Sequence, residues 1–120
     1  MALRGIRGAA TVEQNSREEI FAAAQALVTE IFSRNGLALD DVGAIIFTST
    51  PDLTAAFPTA GLRQLQGFNL VPLFDAQETS VEGALPLCVR VLILAETDKK
   101  PAEIRHVYLG GAQKLRPDLT

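Results

Sequence analysis

Apolar positions follow two rhythms along this chain, and the rhythms predict its elements. From 16 to 35, Ile20, Ala24, Leu27 and Ile31 recur at helical spacing and form one stripe, which Phe21, Val28 and Phe32 widen. Ser16 with Glu19 fits a capping box, Glu18 and Glu19 suit a helix N-terminus, and Gly36 supplies a stop. Elsewhere the rhythm is that of strands. Residues 2–12 alternate, and GAIIFTST at 43–50 is a buried run broken by Pro51 and Asp52. NLVPLF at 69–74 makes a short strand whose Pro72 marks an edge or an irregularity. A further strand covers 87–95, and HVYL at 106–109 is the last, ended by Gly110 and Gly111. Pro58 opens a short helix to about Leu65, being tolerated in a first turn. Residues 79–86, with Gly83 and Pro86, form a loop; DKKPAEI is a turn with about one helical turn; KLRPDLT is irregular.

The resulting order, β-α-β-α-β-β-β, implies an α+β fold: a mixed sheet of about five strands with one long and one short helix. With no internal repeat or linker, the 120 residues form a single domain, 1–120. One long helix cannot cover both faces of such a sheet. The second face includes apolar residues and must meet solvent or another subunit, which argues for an oligomer.

Composition narrows the classes. The chain is 48% hydrophobic and 21% charged, the balance of a soluble globular protein, and its net charge of −3 gives no general basic field for nucleic acid or an anionic membrane. No apolar run approaches the ~20 residues that span a bilayer, and MALRGIRGAATVEQ lacks the apolar core of a secretory signal. The single cysteine, Cys88, can form no intrachain disulfide. The expected location is a reducing cytoplasm.

Candidate chemistry centres on LPLCVRVLIL, 85–94. In its strand Val89, Val91 and Ile93 share one face, and Cys88, Arg90, Leu92 and Leu94 share the other. Arg90 therefore points away from the β-branched face that packs on the helix. A guanidinium stays charged at any working pH, so it needs an anion or water there. An internal salt bridge or snorkelling side chain is one explanation, and an anion-binding site is the other. Arg4 and Arg7, in RGIRG, are oddly spaced and so lie on opposite faces of one strand. His106 is the only histidine, with a surface or structural role as its default, and nothing near Cys88 in sequence would activate it. Asp75 and Glu78 have the character of loop carboxylates, and Tyr108 that of a half-buried strand aromatic. The inventory suits binding of an anion through arginines, without covalent or metal chemistry.

Taken together, RGIRGAATVE at 4–13, TPDLTAAFP at 50–58, the Arg90 strand, IRHVYL at 104–109 and LRPDL at 115–119 resemble the small single-domain bacterial chorismate mutases of the trimeric pseudo-α/β-barrel class. The resemblance covers nearly the whole chain. It implies a homotrimer with sites in clefts between subunits, and the rearrangement of chorismate to prephenate on the route to phenylalanine and tyrosine. That reaction is pericyclic: one C–O bond breaks as a C–C bond forms, and no nucleophile, base, metal or cofactor is required.

By the same resemblance Arg90 contacts the ether oxygen and a substrate carboxylate, an oriented donor worth roughly 2.7–4 kcal/mol of barrier by analogy with oxyanion donors. Arg7 and Tyr108 hold the side-chain carboxylate. Glu78 accepts from the ring hydroxyl, with Asp75 near it. Phe57, Phe74 and Leu115 line the ring site, and Arg63 and Arg116 face the ring carboxylate. The chain departs from the family at Ala60, where members often carry a basic residue, and at the variable position of Asp75. Two other classes fit the same arginines: a non-catalytic trimeric sensor of a small dicarboxylate, and a structural trimer in which Arg90 pairs with Glu96 or with Glu78 of a neighbour.

Overall fold

A computed structural model describes residues 1–119, and of Leu119 only the backbone. Ser16 opens α1 (Arg17–Asn35), its hydroxyl accepting the Glu19 N–H. Glu19 does not close the box on Ser16. Its carboxylate accepts the N–H groups of Glu13 and Gln14 at 2.8 and 3.3 Å, and so ties the helix to the end of the preceding strand. Gly36, at φ +62°, ends the helix with its N–H on the Phe32 carbonyl.

The strands are β1 (Ala2–Thr11), β2 (Val42–Ser49), β3 (Leu73–Gln77), β4 (Cys88–Thr97) and β5 (Val107–Leu109), with a short α2 (Pro58–Leu62) between β2 and β3. They form one mixed sheet in the order β3-β2-β4-β1-β5: β4 runs antiparallel to both β1 and β2, while β3 and β5 pair in parallel at the edges. Strand and helix order match the pattern-based reading; most ends move by one or two residues, and the larger differences lie at the third strand, the short helix and the tail. The third strand, expected at 69–74, begins only at Leu73. Phe68–Leu70 is a 3-10 turn, and Pro72, lacking an N–H, joins through its carbonyl alone, which accepts from Ile45. The short helix stops at Leu62 rather than Leu65, tightening into a turn in which the Leu65 N–H meets the Leu62 carbonyl. The tail KLRPDLT, expected to be irregular, carries a 3-10 turn at Pro117–Leu119, and another at Gly110–Lys114 leads into it; Thr120 lies outside the described residues.

Register explains the two faces. Leu73, Ile45, Ile93 and Ile6 lie side by side across four strands, and Phe47, Val91, Gly8 and Val107 form the next row. These rows meet α1 through Ile20, Ala24, Leu27, Val28 and Ile31, all fully buried. The opposite face carries Ile46, Leu92 and Leu94, which stay partly exposed, and Leu3 and Phe74, each 63% exposed. Five strands thus bury one face against one long helix and leave the other uncovered, as expected. No helix of the described residues is long and apolar enough to cross a membrane.

Gly8 sits where the covered face is tightest. A Cβ there would lie 3.0 Å from Ile31 Cδ1, 3.1 Å from the Val107 carbonyl oxygen and 3.1 Å from Val91 Cγ1. The carbonyl belongs to a paired strand and cannot yield. Gly8→Ala is expected to lower stability by about 1–3 kcal/mol, seen as a lower urea midpoint at unchanged m-value. An unchanged midpoint would show that the β1–β5 seam has room to spare.

Candidate active site

On the uncovered face, register sets the chemistry-bearing side chains beside one another. Ala76, Thr48, Arg90, Ala9 and Tyr108 form one row across all five strands, and Phe74, Ile46, Leu92 and Arg7 form the next. Arg4 donates its Nε–H to the Lys99 carbonyl at 3.1 Å while Arg7 lines the cleft, so the two arginines of RGIRG lie on opposite faces as expected. The C-terminal segment then folds back over this surface. Gly110, at φ +59°, makes the turn, where a Cβ would stand 2.9 Å from Thr11 Oγ1, and that hydroxyl accepts the Gly111 N–H at 2.8 Å. The turn buries Ala112 with Ala9, Cys88 and Tyr108, and packs Leu115 against them. What remains open is a cleft of about 430 Å³, with Arg7, Arg90, Tyr108, Leu115 and Arg116 on its walls.

Arg90 is half-buried in that cleft. Its Nε lies 2.5 Å from Glu78 Oε1, which reaches across β2 from just beyond β3. The approach is close but misaligned: both atoms are buried and neither has a directed hydrogen bond. The charges are compensated while the donor remains unmatched, a condition that calls for an explanation in a buried group. The entry to β4 is held firmly. The Thr50 hydroxyl accepts the Cys88 N–H at 3.0 Å and donates to Asp52 at 2.5 Å, while the other Asp52 oxygen accepts the Leu87 N–H at 2.9 Å. Leu87 is the single non-glycine residue at positive φ (52°) among those described, a conformation that costs a residue with a side chain about 1 kcal/mol. Three residues later the chain places Arg90.

The other arginines of the cleft differ in how they are engaged. Arg116 forms a fork with Asp118, at 3.1 and 2.9 Å. The Arg7 main-chain N–H donates to His106 Nδ1 at 2.9 Å, while its side chain is exposed to the cleft. Burial, with the charges of Arg7 and Arg116, holds the His106 pKa below its ordinary 6.5.

The remaining expected residues lie elsewhere in the chain. Phe57 and Asp75 line a second cavity of about 530 Å³ beside α2 and β3, and Phe57 is 67% exposed. Asp75 lies on the covered side, where its carboxylate accepts both the N–H (3.2 Å) and the hydroxyl of buried Thr59. Arg63 is exposed at the C-terminal end of α2, and Phe74 is exposed on edge strand β3. A single chain therefore gathers Arg7, Glu78, Arg90, Tyr108, Leu115 and Arg116, and keeps Phe57, Arg63, Phe74 and Asp75 apart from them.

This division matters beside known proteins. The family model for chorismate mutase type I matches residues 3–119. The chain belongs to the type I chorismate mutases. It is 47% identical over 118 residues to chorismate mutase AroH of Thermus thermophilus, covering 98% of this chain and 96% of that one. It is 42% identical over 120 residues to chorismate mutase AroH of Bacillus subtilis, covering 100% of this chain and 94% of that one. Its fold is similar to the solved chorismate mutase from Clostridium thermocellum, with a TM-score of 0.90, 44% identity, and coverage of 92% and 98% of the two chains. The chain is accordingly an isomerase that rearranges chorismate to prephenate.

Within this chorismate mutase, pattern reading passed over Ile46 and Thr48, which line the Arg90 cleft, and treated His106 as ordinary. Pairing β2 with β4 would have set Ile46 and Thr48 on Arg90's face by alternation alone. Cys88, near which the sequence offered nothing to activate it, is fully buried, and burial pushes its thiol up to about 11 despite the nearby Arg90. Iodoacetamide at pH 8 is expected to spare Cys88 in the native protein and to modify it in urea. Rapid native alkylation, followed by mass spectrometry, would show that the cluster over β4 opens.

Proposed function

We propose that this chorismate mutase works by holding its substrate with fixed cations, at a site that a second copy of the chain completes. The observation that carries the reading is the convergence of Arg7, Arg90 and Tyr108 on one cleft of the uncovered face, with Glu78 beside Arg90. Chorismate is a flexible dianion, and rearrangement requires its enolpyruvyl side chain to fold over the ring. Arg7 and Tyr108 hold the side-chain carboxylate, and Arg90 donates to that carboxylate and to the ether oxygen. Fixing the folded conformer removes an orientational cost before the chemical step. As the C–O bond breaks, negative charge grows on the ether oxygen, and an oriented guanidinium stabilises that charge more than it stabilises the ground state.

Glu78 has two tasks in this scheme. One oxygen keeps Arg90 Nε in place, and the other accepts from the ring hydroxyl. Leu115 covers the ring, and Arg116 stands at the mouth facing the ring carboxylate. The neighbour supplies Phe57 and Phe74 against the ring and Arg63 toward the ring carboxylate. Its Asp75 braces α2 through Thr59, near the hydroxyl end. Exposed Phe57, Phe74 and Leu3 supply apolar surface for such a contact, and a homotrimer closes it in the arrangement implied by the family resemblance. The substrate is a water-soluble metabolite, and a cytoplasmic location suits it.

The intrachain Glu78–Arg90 contact favours one rival reading, in which the pair serves the fold alone. Arg90→Met would then be neutral or stabilising with turnover intact.

Arg90→Ala is expected to lower kcat about a hundredfold or more without loss of fold, followed by the ultraviolet absorbance of chorismate. Arg90→Lys should also be impaired by more than about tenfold, because an ammonium keeps the charge but not the planar fork. Turnover within about tenfold of the parent for purified Arg90→Ala would end the electrostatic account. Sedimentation equilibrium should report a trimer, and a fully active monomer would remove the shared site.

A further inference from the structure

One imidazole has no task in that scheme, and it is bonded to the backbone of a residue that does. β1 and β5 pair in parallel with Gly8 opposite Val107 and Ala9 opposite Tyr108. One step further back, a continuing ladder would send the Arg7 N–H to the Arg105 carbonyl. The Arg105 peptide is paired with the helix instead: its carbonyl accepts from Asn35 Nδ2 at 2.9 Å, and Asn35 Oδ1 accepts the Arg105 N–H at 2.8 Å. Asn35 is the last residue of α1, 2% exposed, and it also donates to the Ile31 carbonyl. It draws the approach to β5 toward the helix, and the ladder ends early. The Arg7 N–H is satisfied instead by His106 Nδ1.

We propose that His106 is a positioning residue of the site: its neutral imidazole, protonated on Nε2, accepts the Arg7 N–H and fixes the main chain from which the Arg7 guanidinium reaches the substrate carboxylate. The proposal rests on the role given to Arg7 above. An imidazole accepts at Nδ1 only when neutral, and protonation would set one N–H against another. The charged groups facing the ring are Arg7 of β1 and Arg116 of the C-terminal segment, the latter paired with Asp118. Burial first, and these cations after it, favour the neutral form. The folded protein therefore binds this proton less readily than the unfolded chain. Its contribution to stability is present above about pH 6.5 and is lost as pH falls through the lower folded-state value.

The test compares His106→Ala with His106→Asn, whose side-chain oxygen is an acceptor that does not titrate. His106→Ala should raise KM about three- to tenfold with kcat within about twofold, the split expected when a uniform binding contact is loosened. His106→Asn should restore KM and lose the part of the acid fall in kcat/KM and thermal stability that the imidazole causes. Nitrogen-15 spectra of the native enzyme should show the Nε2–H tautomer at pH 7. An Nδ1–H tautomer, or equal KM and pH profiles for all three proteins while Arg7→Ala raises KM, overturns the proposal alone. An unchanged KM in Arg7→Ala overturns the role of Arg7 first, and the proposal with it.

Discussion

The arrangement depends on a guanidinium that cannot discharge, set in the middle strand of a sheet on the side its helix does not reach. β4 occupies the central position, paired on both edges, so Arg90 cannot swing to solvent at a sheet margin. Everything nearby answers that constraint. Glu78 crosses from beyond β3 to balance its charge, Asp52 and Thr50 fix the start of its strand, and the returning C-terminal segment closes part of the surface above it. The contact at Nε balances charge without an aligned hydrogen bond, and the part of the guanidinium side chain that stays exposed in the cleft is what an anion can reach.

The covered face performs the opposite task. Its rows of Ile, Val and Phe are packed so closely against α1 that a methyl group at Gly8 would press on Ile31, Val91 and the Val107 carbonyl at 3.0–3.1 Å. Arg7 and Gly8 are chain neighbours on opposite faces. The seam that crowds Gly8 therefore also restrains the backbone of Arg7. Asn35 extends this link from the final residue of α1 to the approach of β5, and His106 passes it on to Arg7.

Much of this was legible in the chain. Ser16 and Gly36 marked the helix because capping is local chemistry, and alternation placed Arg90 away from the helix because strand parity needs no partner. What could not be read was relational. The late start of β3 depends on Pro72 meeting Ile45, a contact from another strand. The Glu78–Arg90 approach crosses an intervening strand, and the Arg7 N–H meets His106 at a point where the Arg105 peptide is paired with Asn35 of α1. The resemblance supplied the list of site residues, but not that one chain divides them between two surfaces, nor that Asp75 is occupied by Thr59.

That division has a genetic consequence. β3 and β5 lie at opposite margins of the sheet, four strand spacings or about 19 Å apart, so no rotamer change within one protomer unites Phe74 with Tyr108. Under the proposed sharing of the pocket between copies, one allele damaged among the cations and another damaged among the aromatics would each be inactive in pure form. Co-expressed, they would assemble some pockets from two intact halves, so a cell carrying both lesions would recover growth that neither lesion permits by itself.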